Sequence, residues 1–276
     1  MTDRIQEFGN AGLTFPVTDE GPIDGEVVVL LHGFPQTSTS WRAVCELLHA
    51  SGYRTLTFDQ RGYAATARPR GRFAYRISQL VGDVAALVDR VGSPVHLVGH
   101  DWGAVVAWAT AARHPELLRT LTAVSVPHSR AFLRALVTST QAFKSYYMAL
   151  FQLPWLPETT LSRFPKLTDR MLGDSGMDPA ALGRVHTEVI DTGALTTAIN
   201  WYRAIPFSTP AYLGKVSVPT TYVWSTDDIA LGRRGADLCA RQVTGPYRFE
   251  VTDGSHWIPE EKPDLLHDLI VERIKG

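Results

Sequence analysis

The chain has 276 residues, 45% of them hydrophobic, with a formal net charge of −1. That length suits a single α/β core carrying an insertion, and the near-neutral balance points away from nucleic acid and membrane surfaces as partners. Two cysteines, Cys45 and Cys239, lie far apart without metal-ligand spacing, which excludes a disulfide framework or a zinc motif. The charged start Met1–Glu7 has no apolar signal core, and no apolar run reaches the roughly 20 residues of a membrane helix, so a cytoplasmic protein is expected.

Residues 4–18 hold short alternating segments that predict an antiparallel hairpin. Val27–Leu31 is a continuous, β-branched apolar run of the kind buried on both faces of a sheet. It ends in His32-Gly33-Phe34-Pro35. A helix is expected from near Ser38, with Trp41, Val44, Leu47 and Leu48 at helical spacing, and Gly52 closing it. Tyr53–Phe58 reads as the next strand and Asp59–Tyr63 as a loop at its end. A helix capped by Ser78 runs through Leu80, Val84, Leu87 and Val91 to Gly92. The strand beginning at Val95 and the helix ending near His114-Pro115 follow, then a strand over 118–126. From 128 to 213 strand signals vanish and helical pieces are punctuated by prolines. Alternation returns with strands at 219–224 and 247–251, a helix over 233–242, and a terminal helix from Pro263. This order predicts an α/β fold: a mostly parallel sheet with helices on both faces, whose functional groups collect at the strand ends.

One stretch stands out. The strand from Val95 runs into Gly99-His100-Asp101-Trp102-Gly103 and an Ala/Val-rich helix begins at once, the pattern of a nucleophile elbow with Asp101 at its tip. A serine there would indicate acyl transfer. A carboxylate attacking an acyl group would gain little by forming an anhydride. At a saturated carbon bearing a leaving group it needs no prior deprotonation and forms an alkyl ester, which a base-activated water must then cleave. His256, in the loop after the last strand, has the chain position of that base. Its orienting acid is Asp227 or Asp228, both at the end of the preceding strand.

Four motifs, His32–Pro35, Gly99–Gly103, Asn200-Trp201-Tyr202-Arg203 and Gly254-Ser255-His256-Trp257, together resemble the α/β-hydrolases of the epoxide hydrolase branch, to which haloalkane dehalogenases are related. The resemblance implies an α/β-hydrolase core over 1–127 and 214–276 with a helical cap over 128–213. It selects Asp228 over Asp227, by its distance from Trp224, although Ser225 replaces the family's glycine. It implies a cis Phe34–Pro35 bond, oxyanion donors at Phe34 and Trp102, and two cap tyrosines, Tyr147 and Tyr202, that protonate an opening epoxide. Tyr146, adjacent to Tyr147, competes for the first position. His32, Pro35, Trp102, Phe151, Trp201 and Trp257 are expected around the substrate. An epoxide hydrolase acting on a small apolar epoxide is the implied activity, without cofactor or metal, as monomer or homodimer. A dehalogenase is the rival reading, since Trp102 would suit a halide, but Phe34 stands where dehalogenases carry a second donor. A homologue that binds without turnover is the other.

Overall fold

The structure is a computed structural model that describes residues 3–276. Strands β1 (Glu7–Asn10) and β2 (Leu13–Pro16) form the hairpin, with Phe8 opposite Phe15. The other strands make one sheet: β3 (Thr18–Glu20), β4 (Val27–Leu31), β5 (Arg54–Thr57), β6 (Val95–His100), β7 (Leu118–Val124), β8 (Thr220–Ser225) and β9 (Tyr247–Thr252). Their order is β3-β5-β4-β6-β7-β8-β9. All neighbours are parallel except β3, which runs antiparallel to β5 at the edge. The sequence pattern gave no sign of β3, because its side chains Thr18, Asp19 and Glu20 are polar. Asp19 holds it in place by accepting from Arg54 Nε at 2.8 Å and from the Ile5 N–H at 2.7 Å.

Alternate residues of the central strands feed two cores, as the period of two requires. Val28, Leu30, Val98, Val124 and Val223 pack under α1 (Arg42–Ala50) and α13 (Pro263–Lys275). Val29, Leu31, Leu97, Leu121 and Tyr222 pack under α2 (Ile77–Val91) and α3 (Trp102–Arg113). A 3-10 turn over Ser38–Trp41 precedes α1. Ser78 proves to lie inside α2, which starts at Ile77 without a side-chain cap. Gly92 ends that helix in the left-handed conformation expected of it.

Between β7 and β8 the chain forms helices only: α4 (Ser129–Thr138), α5 (Gln141–Lys144), α6 (Tyr146–Leu150), α7 (Leu156–Arg163), α8 (Pro165–Asp174), α9 (Pro179–Arg184) and α10 (Leu195–Arg203). A π-helical turn, Val185–Ile190, continues α9. Hydrogen bonds tie this layer to the loops at the strand ends. Trp201 Nε1 donates to the Arg61 carbonyl at 2.7 Å, Thr39 Oγ1 to Glu188 at 2.8 Å, and Trp257 Nε1 to Ser175 Oγ at 3.0 Å. Short helices α11 (Arg233–Leu238) and α12 (Ile258–Glu261) complete the fold. Among the described residues no helix is long and apolar enough to cross a membrane.

Candidate active site

Asp101 sits between β6 and α3 with φ +51° and ψ −120°, a strained conformation for a residue with a Cβ. The bend is possible because α3 approaches β4 without side chains between them: a Cβ on Gly103 would stand 2.0 Å from the Leu31 carbonyl oxygen. Asp101 Oδ1 accepts the Phe34 backbone N–H at 2.7 Å, donated from the loop that follows β4 and contains the cis Phe34–Pro35 bond. Asp101 Oδ2 lies 3.3 Å from His256 Nε2. The same ring's Nδ1 is 2.7 Å from Asp228 Oδ2, and Asp228 Oδ1 accepts the N–H groups of Ala230 and Leu231, each at 2.8 Å. Two carboxylates from different strand ends therefore bracket one imidazole. Asp227 is exposed and has no hydrogen bond to His256; of the two candidate acids, Asp228 is the one that contacts the ring.

Burial shapes the protonation of Asp101 and His256. It disfavours the Asp101 carboxylate, but His256, His100 and the Phe34 N–H outweigh it and hold the carboxyl below its ordinary value. Burial likewise opposes charge on His256, yet Asp228 and Asp101 on either side raise it to about 10. The resting pair is thus an imidazolium beside the ionised carboxylate of Asp101.

Across a cavity of about 390 Å³ from Asp101 stand Tyr147 and Tyr202, their rings 6.0 Å apart. Burial first, then neighbouring groups including Asp101, keep both phenols protonated above their usual range. Tyr146 points out to solvent at 61% exposure, and of the two adjacent tyrosines Tyr147 is the one that lines the cavity. Trp102 and Trp201 line the cavity, and Trp102, as the first residue of α3, has a backbone N–H without an intrahelical partner.

Four residues expected on the cavity wall are elsewhere. Both ring nitrogens of His32 serve the backbone: Gln60 N–H donates to Nε2 at 3.0 Å, and Nδ1 is 3.1 Å from the Gly33 carbonyl, so the ring ties two loops together from behind. Pro35 is off the wall. Phe151 packs beneath Tyr202 and Phe34, and Trp257 packs on His256 with its N–H turned away to Ser175. An apolar aromatic beside a motif is as readily a buttress as a wall.

Two supporting residues had gone unnoticed in the sequence. His100 Nε2 and Ser125 Oγ each lie 2.9 Å from the His256 carbonyl oxygen and fix the backbone that carries the imidazole. A carbonyl can only accept, so His100 carries its proton on Nε2. Its burial, with His256 close by, keeps it neutral with a pKa near 4. Their positions at the ends of β6 and β7 were the available signal. Among the described residues no group of three or more His, Cys, Asp or Glu side chains could hold a metal ion.

A family model described as the alpha/beta hydrolase fold matches residues 26–263. The chain belongs to the α/β-hydrolase fold family. Within that family its relatives lie on the epoxide hydrolase branch. The chain is 34% identical over its full length to epoxide hydrolase A of Mycobacterium tuberculosis, covering 98% of that protein. It is 35% identical, over 99% of its length and 98% of the relative, to the AB hydrolase superfamily protein YfhM of Bacillus subtilis. The crystal structure of epoxide hydrolase A from Mycobacterium thermoresistibile superposes with a TM-score of 0.84 at 25% identity, covering 98% of this chain and 97% of the other.

Proposed function

We propose that this protein hydrolyses an epoxide to a vicinal diol through an alkyl ester on Asp101, beneath a cap formed by residues 128–213. One observation carries the reading. Two phenols held in their neutral form face an ionised carboxylate across an apolar cavity, and that carboxylate is backed by an imidazole and a second acid. The relatives named as epoxide hydrolases support it.

Asp101 Oδ2 attacks a ring carbon while the carbon–oxygen bond of the oxirane breaks. The departing oxygen takes a proton from Tyr147 or Tyr202, because an alkoxide is too basic to leave unassisted. Oδ1 meanwhile stays on the Phe34 N–H. Esterification removes the charge on Asp101, and with it one of the two carboxylates that keep His256 protonated. The imidazole then gives up its proton and becomes a base at the moment one is needed. Asp228 keeps Nδ1 protonated and leaves Nε2 facing the ester.

Water, deprotonated by Nε2, adds to the Asp101 carbonyl carbon. Negative charge develops on Oδ1, where the Phe34 N–H and the Trp102 N–H stabilise it. Collapse breaks the bond between the carbonyl carbon and Oδ2, the diol leaves with Oδ2 in one hydroxyl, and His256 returns the proton to it. Asp101, now carrying an oxygen from water, loses a proton that restores the imidazolium of His256, the proton which that ring gave up earlier having restored the tyrosine. The proton balance closes as epoxide plus water giving diol.

A single turnover in H₂¹⁸O tests this sequence. The first diol should be unlabelled, with the label in the Asp101 peptide by mass spectrometry. Label in the first diol would exclude the ester.

A further inference from the structure

The helices between β7 and β8 do not present the outer surface expected of helices in water. On α5 and α6 the exposed residues are Ala142, Phe143, Tyr146, Ala149 and Leu150, and not one of them is charged. Water normally selects polar or charged residues on such a face. Phe143 is 80% exposed, and the stripe runs on to Trp155, which stands 72% exposed on a left-handed backbone at φ +51°. The preceding helix, α4, turns Arg130, Leu133, Arg134 and Val137 outward at intervals of three and four residues. Single exposed apolar side chains are ordinary, but a run of them over three consecutive helices marks a surface that meets a partner.

Charge identifies that partner. The net −1 of the whole chain averages over an uneven distribution: no acidic residue lies between Glu116 and Glu158, whereas α4 and α5 hold Arg130, Arg134 and Lys144. A second copy seated on this face would bring the same cations and no acid to pair with them. An anionic bilayer supplies both things the face lacks, phosphates for the arginines and an apolar interior for Phe143, Leu150 and Trp155. The cavity opens here as well. Leu133 and Ile205 both line it and are both exposed. Near Ile205 the pattern recurs, with Arg72 stacked over Phe207 at 5.1 Å and Phe73 exposed. The geometry points to a membrane-docking surface: the outer face of α4, α5 and α6, with Trp155, rests on a bilayer that contains anionic lipid. The arginines sit at the phosphates, the aromatic side chains enter the acyl boundary, and the cavity opens toward the lipid.

Co-sedimentation of the full-length protein with vesicles tests this assignment. Binding should be strong to phosphatidylcholine vesicles that contain about one-third phosphatidylglycerol, weak to phosphatidylcholine alone, and reduced by high salt. Each arginine at the surface is worth about fivefold, so Arg130→Gln combined with Arg134→Gln should weaken binding about 25-fold. Phe143→Ser combined with Trp155→Ser should weaken it by more than about tenfold. Failure to bind the mixed vesicles overturns the assignment, and so does binding that both double variants retain. All four substitutions replace exposed side chains, and thermal melting checks that the variants fold; if the serine pair does not, the glutamine pair decides. Sedimentation velocity without lipid covers the other occupant. A dimer that Phe143→Ser with Trp155→Ser dissociates would give the face to a second copy and reject the membrane.

Discussion

Gly33 and Asp101 touch so closely that a Cβ built on Gly33 would lie 2.3 Å from the Asp101 Cβ. Gly33 has no left-handed backbone to explain its identity, so the requirement is for space alone. The approach lets the next residue, Phe34, aim its N–H at Oδ1.

Gly33→Ala should therefore push apart the β4 loop and the elbow, with little effect on the cores. A displacement near 1 Å at reacting atoms costs on the order of 100-fold in rate. The alkylation rate on an epoxide should fall by about that factor while the circular dichroism spectrum is retained. Alkylation at the original rate would show that the Phe34 N–H contributes nothing to placing the nucleophile.

The shared imidazolium predicts a pH signature. The folded pKa of His256, about 10, lies above the ordinary value of 6.5, so its pairing stabilises the fold fully below 6.5 and is lost as pH rises towards 10. Asp101→Asn removes one of the two carboxylates that raise it. Denaturant titrations between pH 6.5 and 9 should show the unaltered protein losing more stability than Asp101→Asn. Parallel profiles would mean that Asp101 does not hold the proton on His256. In turnover, the ester step needs neutral His256, so Asp228→Asn, which disturbs its orientation, should leave alkylated Asp101 detectable by mass spectrometry.

The elbow, the imidazole and the second tyrosine were legible because each lies in a short segment whose local pattern is distinctive. Gly99–Gly103 spells a tight turn, and Asn200–Arg203 and Gly254–Trp257 are spaced as the family spaces them. The boundaries of buried strands were legible too, since Val27–Leu31 is apolar on both faces. What the sequence withheld depends on contacts between distant segments. Nothing local says that His32 faces two backbone groups, that Trp257 turns its N–H to Ser175, or that Ser125 supports His256. The edge strand β3 was hidden for a related reason: its stability comes from Arg54, 35 positions away from Asp19.

The tyrosine pair makes a kinetic prediction. Proton donation by one positioned group is worth 10²–10⁴ in rate, and two donors share the task. Tyr202→Phe and Tyr147→Phe should each slow alkylation by about 10- to 100-fold, and the double variant should be slower than either. The hydrolysis of preformed ester should change little, because neither phenol touches the water step. Stopped-flow tryptophan fluorescence separates the two phases. A loss confined to ester hydrolysis would remove the tyrosines from ring opening.

A buried ion pair supports Tyr202 from a distance. Arg61 donates to both oxygens of Asp83, Nε at 2.7 Å and Nη2 at 2.6 Å, while Asn10 donates a third bond to the same carboxylate at 2.7 Å. Burial raises the Asp83 carboxyl despite these partners. The Arg61 carbonyl in turn receives the indole N–H of Trp201, the residue before Tyr202 on α10. Asp83→Ala strands a buried guanidinium and should cost about 3–5 kcal/mol of stability. Trp201→Phe keeps most of the ring but leaves the carbonyl unpaired, at about 1–3 kcal/mol. If the pair holds the loop that holds α10, the two losses are not independent. The double variant should lose less alkylation rate than the sum of the singles, because once the loop has moved the indole bond is already gone. Additive effects in that cycle would show that Arg61 and Asp83 stabilise the core without reaching Tyr202.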